Sequence, residues 1–324
     1  MTVPDLTASA LARGAAAQTP RQLSWLAVKA IAKRVWVNNG RHDVGLLAAG
    51  VAFYAFLSFV PLLAALVMTY GLFADASAVS EHMTIVTELV PVDAARLIQD
   101  QLAQLTESAS GRKGLALAIA LLVSLYGASR ASGAMIKSLN IIYEERDRRG
   151  YLRWTLLSAA LSTSAVVIGI LGIFAASMLS LAGPLIAAVG SLGAIILQII
   201  TWLVAGVLCS ISIGAMYRFA PNRTDARWEW LSIGSMLATL FWLLATICFG
   251  IYAARFGDYN ATYGSLGAVV IMMMWLYLSA YAILLGGLIN AETERQTASD
   301  TTTGPDKPIG DRGAAMADTS AALE

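Results

Sequence analysis

WTLLSAALSTSAVVIGILGIFAASMLSLAGPLIAAVGSLGAIILQIITWLVAGVLCSISIGAMY, from Trp154 to Tyr217, runs for 64 positions without one Asp, Glu, Lys or Arg. A bilayer core of about 30 Å is crossed by roughly 20 apolar residues in a helix. The stretch therefore holds two spans, and Gly183-Pro184 followed by Gly190 and Gly193 supplies the break between them. Outward from it lie four more uncharged runs: Val44 to Ala74, Gly114 to Ser129, Trp230 to Ala254 and Tyr259 to Ala291. The second reaches full length only by running through Arg130. The expected fold class is all-α, a polytopic membrane helix bundle of about six transmembrane helices.

Composition agrees. The chain is 57% hydrophobic and 13% charged, about half the charge of an average soluble domain. A soluble enzyme cannot hide that much apolar surface, whereas lipid tails solvate it. The net charge of +1 leaves no global field for nucleic acid, and none is expected as a partner. Two cysteines, Cys209 and Cys248, and two histidines, His42 and His82, form no disulfide framework or metal-ligand spacing. No cofactor is expected. The first 43 residues lack the apolar core of a cleavable signal peptide, so the first span is expected to do the targeting.

Basic residues set the orientation. Residues 1–43 hold six Lys or Arg, Arg130 to Arg153 six, and Arg218 to Arg227 three. The alternate connections hold four in all: three in Asp75 to Lys113, none at the Gly183 turn and one at Arg255. Fifteen against four puts both termini in the cytoplasm, which requires an even number of spans. The expected organisation is a disordered cytoplasmic N-terminus over 1–23, a six-span domain over 24–292, and a disordered, polar cytoplasmic tail over 293–324. Within the domain, the external loop 75–113 carries Ile85, Leu89, Ile98, Leu102 and Leu105 at helical spacing about Pro91, the pattern of an external helical hairpin. A solvated connector fits the same residues. Ser24 to Val37 mixes Trp25, Val28, Ile31 and Trp36 with Lys29, Lys33 and Arg34, which suits an interfacial helix or an extension of the first span.

Candidate functional residues sit in the first two spans and the last. Gly50, Tyr54, Ser58 and Pro61 share a helical face, and Pro61 cannot donate to the Leu57 carbonyl, so a kink toward protein or a watered cavity is expected. At about 100° per residue, Tyr126, Arg130, Lys137 and Glu144 fall within an arc of roughly 40°. At about 1.5 Å per residue from Leu115, Arg130 lies roughly 22 Å into the membrane. A guanidinium there needs a partner, water or a snorkelling route. It suits an anionic group by its forked donors. Arg146, Arg148, Arg149 and Arg153 are a topology signal that also attracts anionic headgroups. The small pairs Gly127/Ala131 and Gly264/Ala268 allow close helix contact.

Four stretches in order, AAGVAFYAFLSFVPLL (48–63), LYGASRASGAMIKSLNIIYEE (125–145), MYRFAPNRTDARWEW (216–230) and YNATYGSLGAVVIMMMWLYLSAYAILLGGLINAE (259–292), resemble the YihY / virulence factor BrkB family, formerly labelled ribonuclease BN-like. The resemblance covers roughly Arg34 to Glu294. It implies a six-span bacterial inner-membrane protein and a role in moving lipid or another envelope component. Membrane lipids, anionic ones among them, would be its partners, in contact with Tyr54, Ser58, Pro61, Arg130, Lys137, Asn140 and Asn290. The other reading is a non-transporting scaffold for envelope proteins. Family members commonly carry Gly-Ala-Glu before the last-span Asn. Here Gly286-Gly287-Leu288-Ile289 precedes Asn290, and the carboxylate stands beyond it at Glu292. Metal-dependent RNA hydrolysis would need clustered carboxylates or histidines; the spans contain none.

Overall fold

The computed structural model describes residues 7–70, 113–164, 190–255 and 265–323. The expected external hairpin, the Gly183-Pro184 break, Tyr259 and Gly264 lie outside them. The described elements are helical: α1 (Ala8–Ala12), a 3-10 turn (Pro20–Gln22), α2 (Trp25–Arg41), α3 (Val44–Tyr70), α4 (Lys113–Ile142), α5 (151–164), α6 (Gly190–Phe219), α7 (Trp228–Arg255) and α8 (Ser265–Glu294). The all-helical membrane bundle is therefore the fold. Helix occupies each of the six stretches where a span is expected, and α4 runs unbroken through Arg130. Among the described residues, Ile199–Phe219, Trp228–Tyr252 and Val269–Glu294 are each long and apolar enough to cross a bilayer, and α2 with the start of α3 makes a fourth as a bent pair.

That bend sets the helix holding Trp25 to Val37 off from the start of α3. Ser24 caps α2, its Oγ accepting from the Ala27 amide at 3.2 Å. After Arg41 the chain turns through Asp43 at φ 48°, a left-handed position that Asp tolerates. α3 then departs at 60°. α2 is thus a separate helix. It buries Ala27, Ile31 and Asn38 on one side, while Trp25 and Trp36 stay exposed on the other, with the Lys29 ammonium 5.5 Å from the Trp25 ring.

Small residues fix the helix contacts. A Cβ on Gly127 would lie 2.7 Å from the Ser58 Cβ, so α3 and α4 touch nearly backbone to backbone. Gly133 receives the Trp154 ring of α5 in the same way, and Ser158 donates to the Ser129 carbonyl at 2.8 Å beside it. Gly234 of α7 meets Gly286 of α8 most closely: a Cβ on Gly234 would be 2.2 Å from the Gly286 carbonyl oxygen.

The apolar core gathers where the ends of α4, α6 and α8 meet the starts of α3 and α7. Ile136, Leu139, Ile142, Tyr143, Tyr217, Leu231, Leu284 and Leu288 are all buried there. This is the end that carries the basic loops.

The terminal segments differ from the expectation of disorder. Ala298 N donates to the Ala15 carbonyl at 2.8 Å, and Thr297 Oγ1 donates to the Ala17 carbonyl at 2.6 Å. Thr302 bridges antiparallel to Ala226, and Gly313 accepts from the Thr224 amide. The buried Arg312 donates to the carbonyls of Ala298, Ser299, Lys307 and Ala317, while Asp318 accepts from the amides of Gly310, Arg312 and Gly313. Low hydrophobicity hid this order because the segment is held mostly by side-chain-to-backbone bonds and buried alanines, with Met316 the large apolar side chain that joins the core.

Candidate functional site

Two acids end α8, where the helix dipole disfavours them. Each is buried and each has found an arginine. Glu292, fully buried, accepts from Arg34 Nε at 2.6 Å and from the Asn38 amide, and Arg34 also donates to the Glu292 carbonyl at 3.0 Å. Thus α2 is clamped to α8. Glu294 takes both Nη atoms of Arg223, and Thr301 of the tail donates to the same carboxylate. Burial alone would lower the Arg223 pKa, but the Glu294 charge and hydrogen bond, with Tyr143 and Glu145 adding to them, together outweigh it and raise the value above that of a free guanidinium. The cation lies 5.2 Å from the ring of Tyr143, whose own hydroxyl is pushed upward in pKa by burial.

A second network ties the α4–α5 connection to the α6–α7 connection. Asn140 Oδ1 accepts from the Asn222 amide at 2.7 Å, and its Nδ2 donates to Asp147 at 3.2 Å. Asp147 holds Arg149 through Nε at 2.9 Å and Nη2 at 3.0 Å, and Arg149 reaches on to the Ala220 carbonyl at 2.8 Å. Burial pushes the Asp147 carboxyl up, yet the Arg149 bonds win and lower it. An open pocket of about 500 Å³, lined by residues 148–153 and Asn222, lies against this network.

The expected contact residues divide. Asn290 is buried and bonded to backbone, its Oδ1 accepting from Gly234 N at 2.7 Å and its Nδ2 donating to the Leu231 carbonyl at 3.0 Å. With Asn140 it locks the core end. Ser58 donates to the Ala55 carbonyl at 2.7 Å and packs on Gly127. Pro61 lies in α3, its side chain outside the described ones. Lys137 is exposed on α4. Arg130 is exposed as well, its Nε donating to the Tyr126 hydroxyl at 3.1 Å with the guanidinium 5.3 Å from that ring. Tyr54 stands on the neighbouring helix, half-exposed and edge-on to Phe53.

The shared arc breaks at Glu144. α4 ends at Ile142, and Glu144 sits at φ 54°, turned toward His42 at 3.7 Å. The helical projection that placed it beside Arg130 does not extend past the helix end.

Sequence reasoning missed the two buried ion pairs. The signal was present: Glu292 and Glu294 close a span that is otherwise uncharged from Ser265, and intramembrane or near-membrane acids require partners.

Fold and site together define a polytopic helical membrane protein whose two buried acids, Glu292 and Glu294, are paired with arginines at its basic end. The chain belongs to the Virulence factor BrkB family, whose model matches residues 35–309. It is 28% identical over 254 residues to the putative ribonuclease-like protein YfkH of Bacillus subtilis, covering 77% of this chain and 90% of the relative. To the UPF0761 membrane protein RSc1559 of Ralstonia nicotianae it is 29% identical over 279 residues, covering 84% of this chain and 60% of the relative. To a UPF0761 membrane protein of Tolumonas auensis it is 26% identical over 271 residues, covering 80% and 82%. No solved structure matches.

Proposed function

We propose that the chain is a translocator of an anionic amphiphile, a lipid or another envelope component, in the bacterial inner membrane, with both termini in the cytoplasm. The observation that carries this is Arg130. It stands twelve positions before the end of α4, exposed, with a tyrosine as its hydrogen-bond partner and no carboxylate among the described residues paired with it. A guanidinium at such depth is costly unless it meets an anion or water. Tyr126 and Tyr54 flank it with rings that an amphiphile tolerates. The orientation rests on the excess of Lys and Arg in the loops at the core end.

The YfkH relative carries a ribonuclease-like name. Among the described residues no three His, Cys, Asp or Glu side chains gather as metal ligands would, and hydrolysis is not the reading adopted. A scaffold for envelope proteins is the second reading. Its support is the folded tail, which keeps residues 304–311 exposed. Reconstitution into liposomes with a leaflet-resolved lipid assay separates the two, because a scaffold leaves lipid where it was.

A further inference from the structure

We propose that the pocket between the α4–α5 connection and Asn222 is a binding site for a phosphate-bearing headgroup, distinct from the Arg130 face. Its volume of about 500 Å³ admits a group of that size, and three of its seven lining residues are arginines. Their situations differ. Arg149 is spent: Asp147 neutralises it and the Ala220 carbonyl anchors it, so it forms a fixed wall. Arg148 and Arg153 are exposed, and neither has an ion pair among the described residues. Two arginines without a carboxylate partner among the described residues therefore line one concavity, and Arg is the residue whose forked donors match phosphate oxygens. The wall does not yield, because Asn222 is held from both sides, by Asn140 Oδ1 on its amide and by the Arg146 carbonyl on its Nδ2 at 3.0 Å.

The apolar half of the ligand is specified next to the charged half. Tyr151 and Leu152 line the same pocket and are 84% and 71% exposed. Large apolar side chains left this open beside unpaired arginines suit a molecule that is anionic at one end and hydrocarbon at the other. Both features sit where α5 begins, at the end of the bundle that carries the basic loops, and the first-turn amides of α5 add a small positive field. The inference stands apart from the translocation reading, since a headgroup can be held here without being moved.

The test uses the full chain in neutral detergent and isothermal titration with dihexanoyl phosphatidylglycerol, dihexanoyl phosphatidylcholine and inorganic phosphate. Phosphatidylglycerol is expected to bind at least tenfold more tightly than phosphatidylcholine. R148Q/R153Q is expected to weaken it by about thirtyfold, while K33Q, an exposed cation on α2 outside the pocket lining, leaves it unchanged. Competition by inorganic phosphate upholds the site and assigns it to phosphate in general; failure to compete, with phosphatidylglycerol bound, upholds it as a lipid site. Should the glutamine pair lose the fold, R148K/R153K keeps the charge and loses the fork, and a severalfold weakening at unchanged melting temperature is expected. Equal affinity of the arginine variants and the parent, equal affinity for the two lipids, or binding of neither anion overturns the proposal.

Discussion

The guanidinium of Arg223 grips both carboxylate oxygens of Glu294, and each side chain is 1% exposed. Arg223 comes from the α6–α7 connection and Glu294 from the last residue of α8, so one ion pair fastens three elements together with the tail that donates through Thr301. Burying two charges is costly, and removing one leaves the other stranded. Arg223→Met or Glu294→Leu alone should therefore destabilise the protein by about 3 to 5 kcal/mol. The double variant should recover much of that loss. Thermal unfolding of the four proteins in one detergent checks both statements.

The Gly234–Gly286 contact makes a sharper steric claim. A methyl group on Gly234 would meet the Gly286 oxygen and the Asn290 amide at 2.2 to 2.4 Å, with backbone on one side and a doubly bonded side chain on the other. Gly234→Ala should cost about 2 to 3 kcal/mol or prevent accumulation altogether. Gly250→Ala, on the same helix with nothing within 4 Å, should be neutral or stabilise by up to about 1 kcal/mol through helix propensity. Equal behaviour of the two alanines would mean that α7 and α8 do not approach as described.

How much of this was legible beforehand depends on the kind of interaction. The spans were readable because lipid imposes length and apolarity on every crossing helix, and α8, apolar from Val269 almost to its end at Glu294, is the clearest case. Gly127 was readable because glycine in a span is a packing signal. The partners of Glu292 and Glu294 were not, since pairing across 258 or 71 positions is a property of the assembled bundle. Asn140 and Asn290 carried the right polarity for a ligand contact, but only the fold shows their amides engaged with neighbouring loops and backbone. Glu144 was misplaced because periodicity continues on paper where the helix stops. The terminal segments escaped because Arg312 and Asp318 organise backbone, a role with no compositional signature.

His42 supplies a pH dependence. Its side chain is 9% exposed, and burial lowers its pKa below 6.5, with Glu144 and Glu292 opposing and Arg41 adding to the shift. The folded state therefore binds this proton less readily than the unfolded chain. The resulting stability is present above pH 6.5 and is lost as the pH falls through the folded value. Glu145 runs the other way: burial raises its pKa from 4.5, so its contribution is present at low pH and lost as the pH rises. Comparing His42→Gln with the parent at each pH isolates the histidine. The parent should lose more stability than the variant between pH 7 and pH 5, and parallel curves would show that His42 does not titrate differently on folding.

The central claim, that Arg130 contacts an anionic amphiphile in transit, is tested most directly by leaflet-resolved transfer of phosphatidylglycerol in liposomes holding the purified full chain. Transfer well above that of protein-free liposomes is expected. Arg130→Gln should abolish it, and Arg130→Lys, which keeps the charge and loses the forked donors, should reduce it by about tenfold or more at unchanged protein abundance. Transfer by the parent no faster than in empty liposomes, or full transfer by Arg130→Gln, would contradict it.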